Sequence, residues 1–263
     1  MNALKISILS DKSASSRCRA EHGLSFAVEA DKRILFDTGA SDLFLDNARI
    51  MGIDIDTIET VVLSHGHYDH GNGMRYLHGK TIVAHPGIFA QRISGTSGRN
   101  ISIEATRADI EAHGNRFVLT REPLWLSEQI VFLGEIPRVV PFENESRAHF
   151  HFTDGQPDVV ADDSALAVTT DKGLVVVSGC AHSGICNIIE QARKVTGVGE
   201  VYGVVGGFHL KHADSRLQAT IDYLKQLDVK IVMPSHCTGI AAQCAFYQAF
   251  GGNEVKTGLQ FDF

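Results

Sequence analysis

The chain lacks the features that mark membrane-spanning and secreted proteins. No apolar run approaches the roughly 18 residues that a membrane-spanning helix needs, and the start, Met1–Leu9, alternates like a strand instead of a signal peptide. The five cysteines (Cys18, Cys180, Cys186, Cys237 and Cys244) form no Cys-x-x-Cys pair. Their odd number and wide spacing are typical of a reducing compartment, so we expect a cytoplasmic protein that does not bind a membrane.

Positive charge is also scarce. Lys and Arg number 24 against 31 Asp and Glu, giving a formal net charge of −7. This balance argues against nucleic acid or an anionic membrane as a partner, while a local basic pocket remains compatible with it. The expected partner is therefore a small-molecule substrate. If the chain has a local basic pocket, that substrate can be one that carries a phosphate group.

Short β-branched runs alternate with helical periods along the chain, which predicts an α/β protein. No internal repeat or low-complexity linker divides it, so residues 1–263 are predicted to form a single domain. Residues 90–160 are the least regular and hold four of the six prolines, which indicates an insertion or lid. The predicted strands are Lys5–Leu9, Leu24–Glu29, Arg33–Phe36, Thr60–Leu63, Thr81–Ala84, Ala165–Thr169, Leu174–Val177, Val201–Val205 and Lys230–Met233, and the predicted helices are Asp42–Met51, Cys186–Val195 and Ser215–Leu227.

One segment concentrates potential metal ligands. Directly after the predicted strand Thr60–Leu63, His65, His67, Asp69 and His70 follow within six residues. Because residues two apart in extended backbone point the same way, His65 and His67 can face one metal while Asp69 and His70 face a second. Imidazole and carboxylate ligands together suit zinc, iron or manganese.

Three more predicted strands end in small residues followed by a histidine, namely His182, His209 and His236. The carboxyl ends of strands are where α/β sheets bind ligands. Small residues let the backbone approach a metal or substrate closely. We therefore expect these histidines to lie near the segment that begins at His65.

The segment Ser64–Gly71 resembles the signature of the metallo-β-lactamase superfamily. The resemblance implies a four-layer αβ/βα sandwich with two mixed β-sheets between helices, and one or two metals at the sheet edge. It assigns His65 and His67 to metal one, and Asp69 and His70 to metal two. His236 matches the last strand-end histidine of the family and would complete metal two.

The middle of the chain departs from the family pattern, in which a histidine motif precedes a bridging aspartate at a strand end. No such histidine motif occurs between residues 100 and 170, and Gly179-Cys180-Ala181-His182 stands where a Gly-Asp pair is expected. His182 is the predicted mid-chain ligand. Cys180 is either a soft ligand or a thiol behind the ligands, and Asp163, after Asp162, is either a carboxylate ligand or part of a turn.

Four other residues are candidates for roles beside the metals. Asp37, in an Asp-Thr-Gly sequence, is predicted to accept a hydrogen bond from the ring nitrogen of a ligating histidine that does not face the metal, or to cap the following helix. His209 matches no ligand position and is predicted to be a general acid or oxyanion donor, while Asp69 orients the attacking hydroxide. Glu135 and Arg138, in the irregular region, are candidates for contact with substrate or, equally, a solvated surface pair.

Further motifs resemble the dihydropterin-ribofuranosylaminobenzene phosphate synthase-like branch of the superfamily, over nearly the whole chain: Glu21–Ser25, Gly134–Arg138, Asp163–Leu166, Ser178–Ile185 and Gly206–Leu210. The branch implies a transferase that joins a dihydropterin methyl diphosphate to an aminobenzene riboside phosphate, as in methanopterin synthesis.

The leading hypothesis from the sequence is a binuclear, metal-dependent hydrolase of a small ester or phosphoester, acting through metal-bound hydroxide. The transferase is the alternative hypothesis, and a non-catalytic metal or ligand sensor is the third. The expected cofactors are one or two divalent transition metals, with zinc first and iron or manganese next. A homodimer is the default expectation for the assembly.

Overall fold

In the structure, a computed structural model, residues 3–144, 150–252 and 254–263 are described. The segment 145–149, which belongs to the predicted lid, and Met1 and Asn2 of the predicted first strand lie outside them. The strands of the described residues are β1 (Lys5–Ser10), β2 (Ser25–Glu29), β3 (Arg33–Phe36), β4 (Thr60–Val62), β5 (Thr81–Ala84), β6 (Arg92–Ser94), β7 (Arg116–Leu119), β8 (Leu124–Trp125), β9 (Ile130–Phe132), β10 (Phe150–Phe152), β11 (Pro157–Asp158), β12 (Ala165–Thr170), β13 (Gly173–Ser178), β14 (Val201–Gly207), β15 (Ile231–Ser235) and β16 (Gln260–Asp262).

The helices in the same part of the chain differ widely in length. None of them is both long and apolar enough to cross a bilayer. They are α1 (Leu43–Ile50), α2 (Tyr68–Gly71), α3 (Arg107–Glu111), α4 (Ile185–Thr196), α5 (Ser215–Gln226) and α6 (Ile240–Phe250).

Two mixed sheets form the centre of the fold. The first has the strand order β16-β1-β2-β3-β4-β5-β7, with antiparallel pairing from β16 to β3 and parallel pairing from β3 to β7. The second has the order β15-β14-β13-β12-β9-β8, in which β13, β14 and β15 are parallel neighbours. The carboxyl ends of these three strands therefore lie at one edge.

Alternation along the strands builds the layers, because successive side chains point to opposite faces. Val175 and Val177 of β13 pack inward against the first sheet, in one core that contains Phe26 and Val62. Val176, between them, packs outward in a second core with side chains of α4, α5 and α6. A third core joins the outer face of the first sheet to α1. The predicted four-layer sandwich with two mixed sheets is confirmed.

Residues 90–160 are more ordered than the sequence predicts. The strands β7, β8 and β9 extend the two main sheets, and the insertion or lid stays a prediction. Only β6, β10 and β11 form a separate three-stranded sheet, with antiparallel pairing of β10 to both neighbours. The sequence pattern missed these strands because each has only two to four residues, which is too short for a period to be visible.

Candidate metal centre

Turns at four strand ends carry the candidate ligands. His65 follows β4 of the first sheet, while His182, His209 and His236 follow β13, β14 and β15 of the second. The two edges face each other, since the ring centroids of His65 and His182 are 4.8 Å apart. The sequence prediction that these histidines converge agrees with this placement.

The first cluster consists of His65, His67 and His182. Their potential ligand atoms all lie within 4.8 Å of one another, and the three side chains are buried. His65 Nε2 lies 2.9 Å from His67 Nδ1. Two ring nitrogens that point at each other over this distance, from neighbouring side chains, are an arrangement that a shared metal ion explains.

The second cluster consists of Asp69, His70 and His236, which also lie within 4.8 Å of one another and are buried. Asp69 Oδ2 is 3.4 Å from His236 Nε2 and 3.9 Å from His70 Nε2. One carboxylate and two imidazoles form a mixed N/O ligand set suited to zinc, iron or manganese.

Unpartnered nitrogens test whether a metal fits these clusters. His67 Nε2 and both ring nitrogens of His182 and His236 are buried without a hydrogen-bond partner in the described part of the chain. Leaving a buried polar atom unpaired costs about 1–3 kcal/mol, so several in one place require an explanation. Metal coordination would satisfy ring nitrogens of this kind, and the residues present therefore fit a metal centre.

Asp37 lies directly behind the second cluster. Its Oδ2 accepts hydrogen bonds from His70 Nδ1 at 2.7 Å and from Ser64 Oγ at 2.7 Å, and its Oδ1 accepts from Ser64 N at 2.7 Å. The proton on His70 Nδ1 leaves Nε2 free to face the metal position. This is the role that the sequence predicts for Asp37.

Burial and neighbouring charges give the histidines different pKa values. Burial lowers the pKa of His67 to about 3, and it lowers the pKa of His65 and His182 well below the usual range. These rings are therefore neutral at pH 7, the form that binds metals. Burial also opposes protonation of His70, but the carboxylates of Asp37 and Asp69 outweigh it and raise its pKa to about 9.

The backbone at the site is held in an unusual conformation. Asp37, Ala181, His209 and His236 have φ angles of 56°, 49°, 50° and 50°, in the left-handed region that side chains other than glycine seldom adopt. Strained residues persist where surrounding structure holds them, and they cluster at functional sites. Each of these residues is on or next to a turn that carries a candidate ligand.

Asp163 is the residue that the sequence leaves open between a carboxylate ligand and part of a turn. Its Oδ2 accepts hydrogen bonds from Ser183 N at 2.8 Å and Ser183 Oγ at 2.5 Å, and it joins none of the ligand clusters. Burial raises its pKa to about 6 despite these bonds. Asp163 Oδ2 therefore fixes the turn that carries His182, while Asp163 Oδ1 is buried without a hydrogen-bond partner among the described residues.

Glu135 and Arg138 are also placed away from the site. Glu135 Oε2 lies 3.3 Å from His85 Nε2 and 2.9 Å from Arg121 Nη1, while Arg138 Nη2 donates to the carbonyl oxygen of Val159 at 2.8 Å. Neither residue lines the cavity over the metal clusters. The prediction that they contact substrate is therefore corrected, because both side chains are engaged elsewhere.

That cavity has a volume of about 820 Å³ and contains the exposed parts of both clusters, together with His209. Its wall holds three cations, Lys12, Arg99 and Lys211, and two aromatic rings, Tyr68 and Phe150. Sequence reasoning gave none of these five residues a role. Tyr68 lies within the signature segment Ser64–Gly71, whereas the other four come from separate loops and strands and share no motif.

His22 is a further residue to which the sequence analysis assigns no role, although it lies in one of the branch motifs. Its Nε2 is 3.3 Å from Asp69 Oδ2, and its ring stacks on His236 with centroids 5.4 Å apart. It lines the cavity and closes one side of the second cluster. The motif Glu21–Ser25 was the available signal.

A family model described as the metallo-β-lactamase superfamily matches residues 19–236. The chain belongs to this superfamily. It is 37% identical to 7,8-dihydropterin-6-methyl-4-(β-D-ribofuranosyl)-aminobenzene-5'-phosphate synthase of Methanocaldococcus jannaschii, over 88% of this chain and 85% of the relative. It is 35% identical to an uncharacterised protein, MJ0448, of the same organism, over 90% of this chain and 91% of that one.

A solved structure is similar over nearly the whole length. Tm1679, described as a metal-dependent hydrolase of the β-lactamase superfamily, superimposes with a TM-score of 0.86 at 33% identity, covering 99% of each chain. The predicted resemblance to the superfamily and to its synthase-like branch is confirmed. These relatives indicate an enzyme of the superfamily; one is named as a synthase, and the solved structure is described as a hydrolase.

Proposed function

We propose that this chain is a metal-dependent synthase that joins a dihydropterin methyl diphosphate to an aminobenzene riboside phosphate. The observation that carries the proposal is the cavity over the metal clusters, which combines aromatic rings with three cationic side chains. The likeness to the Methanocaldococcus jannaschii synthase over most of both chains supports the same reaction.

The cations match substrates that carry phosphate groups. Lys12, Arg99 and Lys211 form no ion pair within the described ranges, and Glu104, which also lines the cavity, is paired with Arg75 at 2.6 Å. A chain with a net charge of −7 thus has a locally basic cavity wall. Arg and Lys in such positions bind phosphate through charge-assisted hydrogen bonds.

The aromatic residues match substrates with planar rings. Phe150 lies against His67 and His182, with ring centroids 4.9 and 5.4 Å apart, so it is next to the first cluster. Tyr68 lines the same cavity. A cavity of about 820 Å³ lies within the range that small-ligand sites have. Pterin and benzene rings would stack on these side chains at the floor of the cavity.

The reaction requires one bond to form and one to break. The arylamine nitrogen forms a bond to the methylene carbon of the pterin, the bond from that carbon to diphosphate breaks, and diphosphate leaves with the electron pair. When bound, the metals supply positive charge that stabilises the departing diphosphate. The amine nitrogen loses one proton, which His209 can accept because it is half-buried at the cavity.

The test supplies the metal-loaded protein with both substrates and follows the joined product and free diphosphate. We expect both products to appear together and only when the arylamine is present. His209→Ala should lose turnover, while His113→Ala, a histidine that stacks on His78 away from the cavity, serves as the matched control.

The hydrolase remains a second candidate, because the description of Tm1679 favours it. The same experiment separates the two activities. Consumption of the pterin diphosphate at an equal rate without arylamine would show that water is the acceptor and would refute the synthase.

A further inference from the structure

We propose that the sulfur of Cys180 is a ligand shared by the two metal positions and makes the centre selective for metals that bind thiolate, such as zinc, over manganese or magnesium. The inference rests on the metal centre of the proposed function and is independent of its substrates.

The position of Cys180 between the clusters is the first observation. Its Sγ lies 3.2 Å from His70 Nε2, which is the nitrogen that the Asp37 hydrogen bond leaves free. The same sulfur lies within 4.8 Å of ligand atoms of both His65 and His70, and within 4.8 Å of those of both His182 and His209. Cys180 thus reaches a histidine of the first cluster and a histidine of the second from one point.

The backbone around Cys180 is packed so closely that the sulfur has little freedom to move away. A Cβ on Gly179 would lie 2.1 Å from Ser64 Oγ, and a Cβ on Gly207 would lie 2.4 Å from the Gly179 carbonyl oxygen. Only glycine permits these approaches. Gly179 therefore packs the Cys180 turn against the strand end that carries His65, and Gly207 packs β14 against the same turn.

In the described part of the chain, no carboxylate shares a ligand group with histidines of both clusters. Asp163 Oδ2 accepts from Ser183 while its Oδ1 is buried without a hydrogen-bond partner among the described residues, and Asp162 is paired with Arg92 Nη2 at 2.5 Å and accepts from Gly66 N at 2.8 Å. Asp69 belongs to the second cluster alone among the described ligand groups. Cys180 shares ligand groups with His65 and His70 and with His182, and it is therefore the residue placed to link the two metals.

A shared sulfur has a consequence for the metal. Thiolate is a soft ligand that favours zinc and related metals, whereas carboxylate and water suit manganese and magnesium. The thiol gives up its proton to solvent when the sulfur coordinates. A chain with Cys180 in this position should therefore hold zinc against an excess of manganese.

X-ray absorption at the zinc edge tests the proposal on the full-length wild-type protein loaded with two zinc ions and no substrate. We expect a zinc–sulfur distance of about 2.3 Å beside zinc–nitrogen distances of about 2.0–2.1 Å. Since a shared sulfur is seen by both ions, the spectrum should fit one sulfur for each zinc. One sulfur for every two zinc ions, or none, would overturn the shared role.

Variants identify which cysteine provides the sulfur. Cobalt-loaded wild-type protein should show a sulfur-to-metal charge-transfer band that Cys180→Ser and Cys180→Asp lose. Cys237→Ser is the matched control, because the Cys237 sulfur lies 3.6 Å from the Cys180 carbonyl oxygen but joins none of the ligand groups among the described residues. Loss of the band in Cys237→Ser would assign the ligand to Cys237 and reject the proposal. If the Cys180 variants do not fold, the wild-type zinc spectrum still decides.

These spectra are recorded without substrate, so their outcome is separate from that of the synthase assay. The shared sulfur can be refuted while the synthase reaction is observed, and the synthase reaction can be refuted while the shared sulfur is observed. In competition with manganese, wild-type protein should retain zinc, and Cys180→Asp should retain less of it. Equal zinc retention by both proteins would contradict the selectivity.

Discussion

Asp37→Asn is a substitution that tests how the protein prepares the second cluster. Asp37 is fully buried, and three hydrogen bonds converge on its carboxylate. The variant keeps the size of the side chain, and its remaining oxygen can still accept from Ser64 N. Its amide nitrogen, however, is a donor and would face His70 Nδ1. To avoid two donors in contact, His70 must move its proton to Nε2, the nitrogen that points at the metal position.

The magnitude follows from the role of such partners. Removing the residue that orients a ligating histidine costs about 10–100-fold in metal affinity, which corresponds to about 1.4–2.7 kcal/mol. Asp37 bonds directly to His70 of the second cluster but reaches His65 of the first cluster through Ser64 Oγ, which lies 2.9 Å from His65 Nδ1. The loss should therefore fall mainly on the metal held by Asp69, His70 and His236.

Metal titration of chelator-treated protein, followed by calorimetry, measures both binding steps. We expect one metal to bind with nearly wild-type affinity and the other with an affinity about 10–100-fold lower. Glu143→Gln is the control, since Glu143 is a buried carboxylate that accepts from Asn187 N at 2.9 Å and contacts no metal cluster. Two unchanged binding steps in Asp37→Asn would show that the His70 tautomer is set by something other than Asp37.

Three further predictions concern the ligands, the charge on His70 and the fold. His67→Ala should lose metal, whereas His209→Ala should keep the metal and lose turnover, as metal analysis beside an activity assay would show; an empty site in His209→Ala would make His209 a ligand. In chelator-treated protein, protonated His70 stabilises the fold below its unfolded pKa of about 6.5, and this contribution is lost as the pH rises through about 9, so the melting temperature should fall over that interval and stay flat in metal-loaded protein. Arg92→Met should destabilise the chelator-treated fold by about 3–5 kcal/mol, because Arg92 is buried and paired with Asp158 at 2.6 Å and Asp162 at 2.5 Å. The exposed Arg107→Met should cost only about 0.5 kcal/mol in the same denaturation assay, and equal effects would refute a buried ion pair.

Much of the fold could be predicted from the sequence because its central strands are β-branched runs that end in recognisable turns. The parallel strands β13, β14 and β15 begin within one or two residues of the predicted runs. The elements at the edges of the fold were harder to predict. The strand β16 is short and has exposed residues, and α6 has an apolar composition without a clear polar face, so neither shows the period on which prediction depends.

The same contrast holds at the site. The ligands that share one segment, from His65 to His70, were found by spacing alone, and the strand-end context added His182 and His236. Phe150, Lys12, Arg99 and Lys211 could not be found in this way, because three-dimensional folding brings them to the cavity from unrelated turns and strands. Asp163 was left open between a ligand and a turn residue for a related reason. Its sequence position cannot show that its Oδ2 accepts two hydrogen bonds from Ser183.

Anomalous diffraction from crystals of the metal-loaded protein tests the central claim most directly. Data collected on both sides of the metal absorption edge should show two peaks, one among His65, His67 and His182 and one among Asp69, His70 and His236, with the Cys180 sulfur next to both. A single peak, or a pair of peaks that leaves His182 or Cys180 without a metal neighbour, would contradict the account.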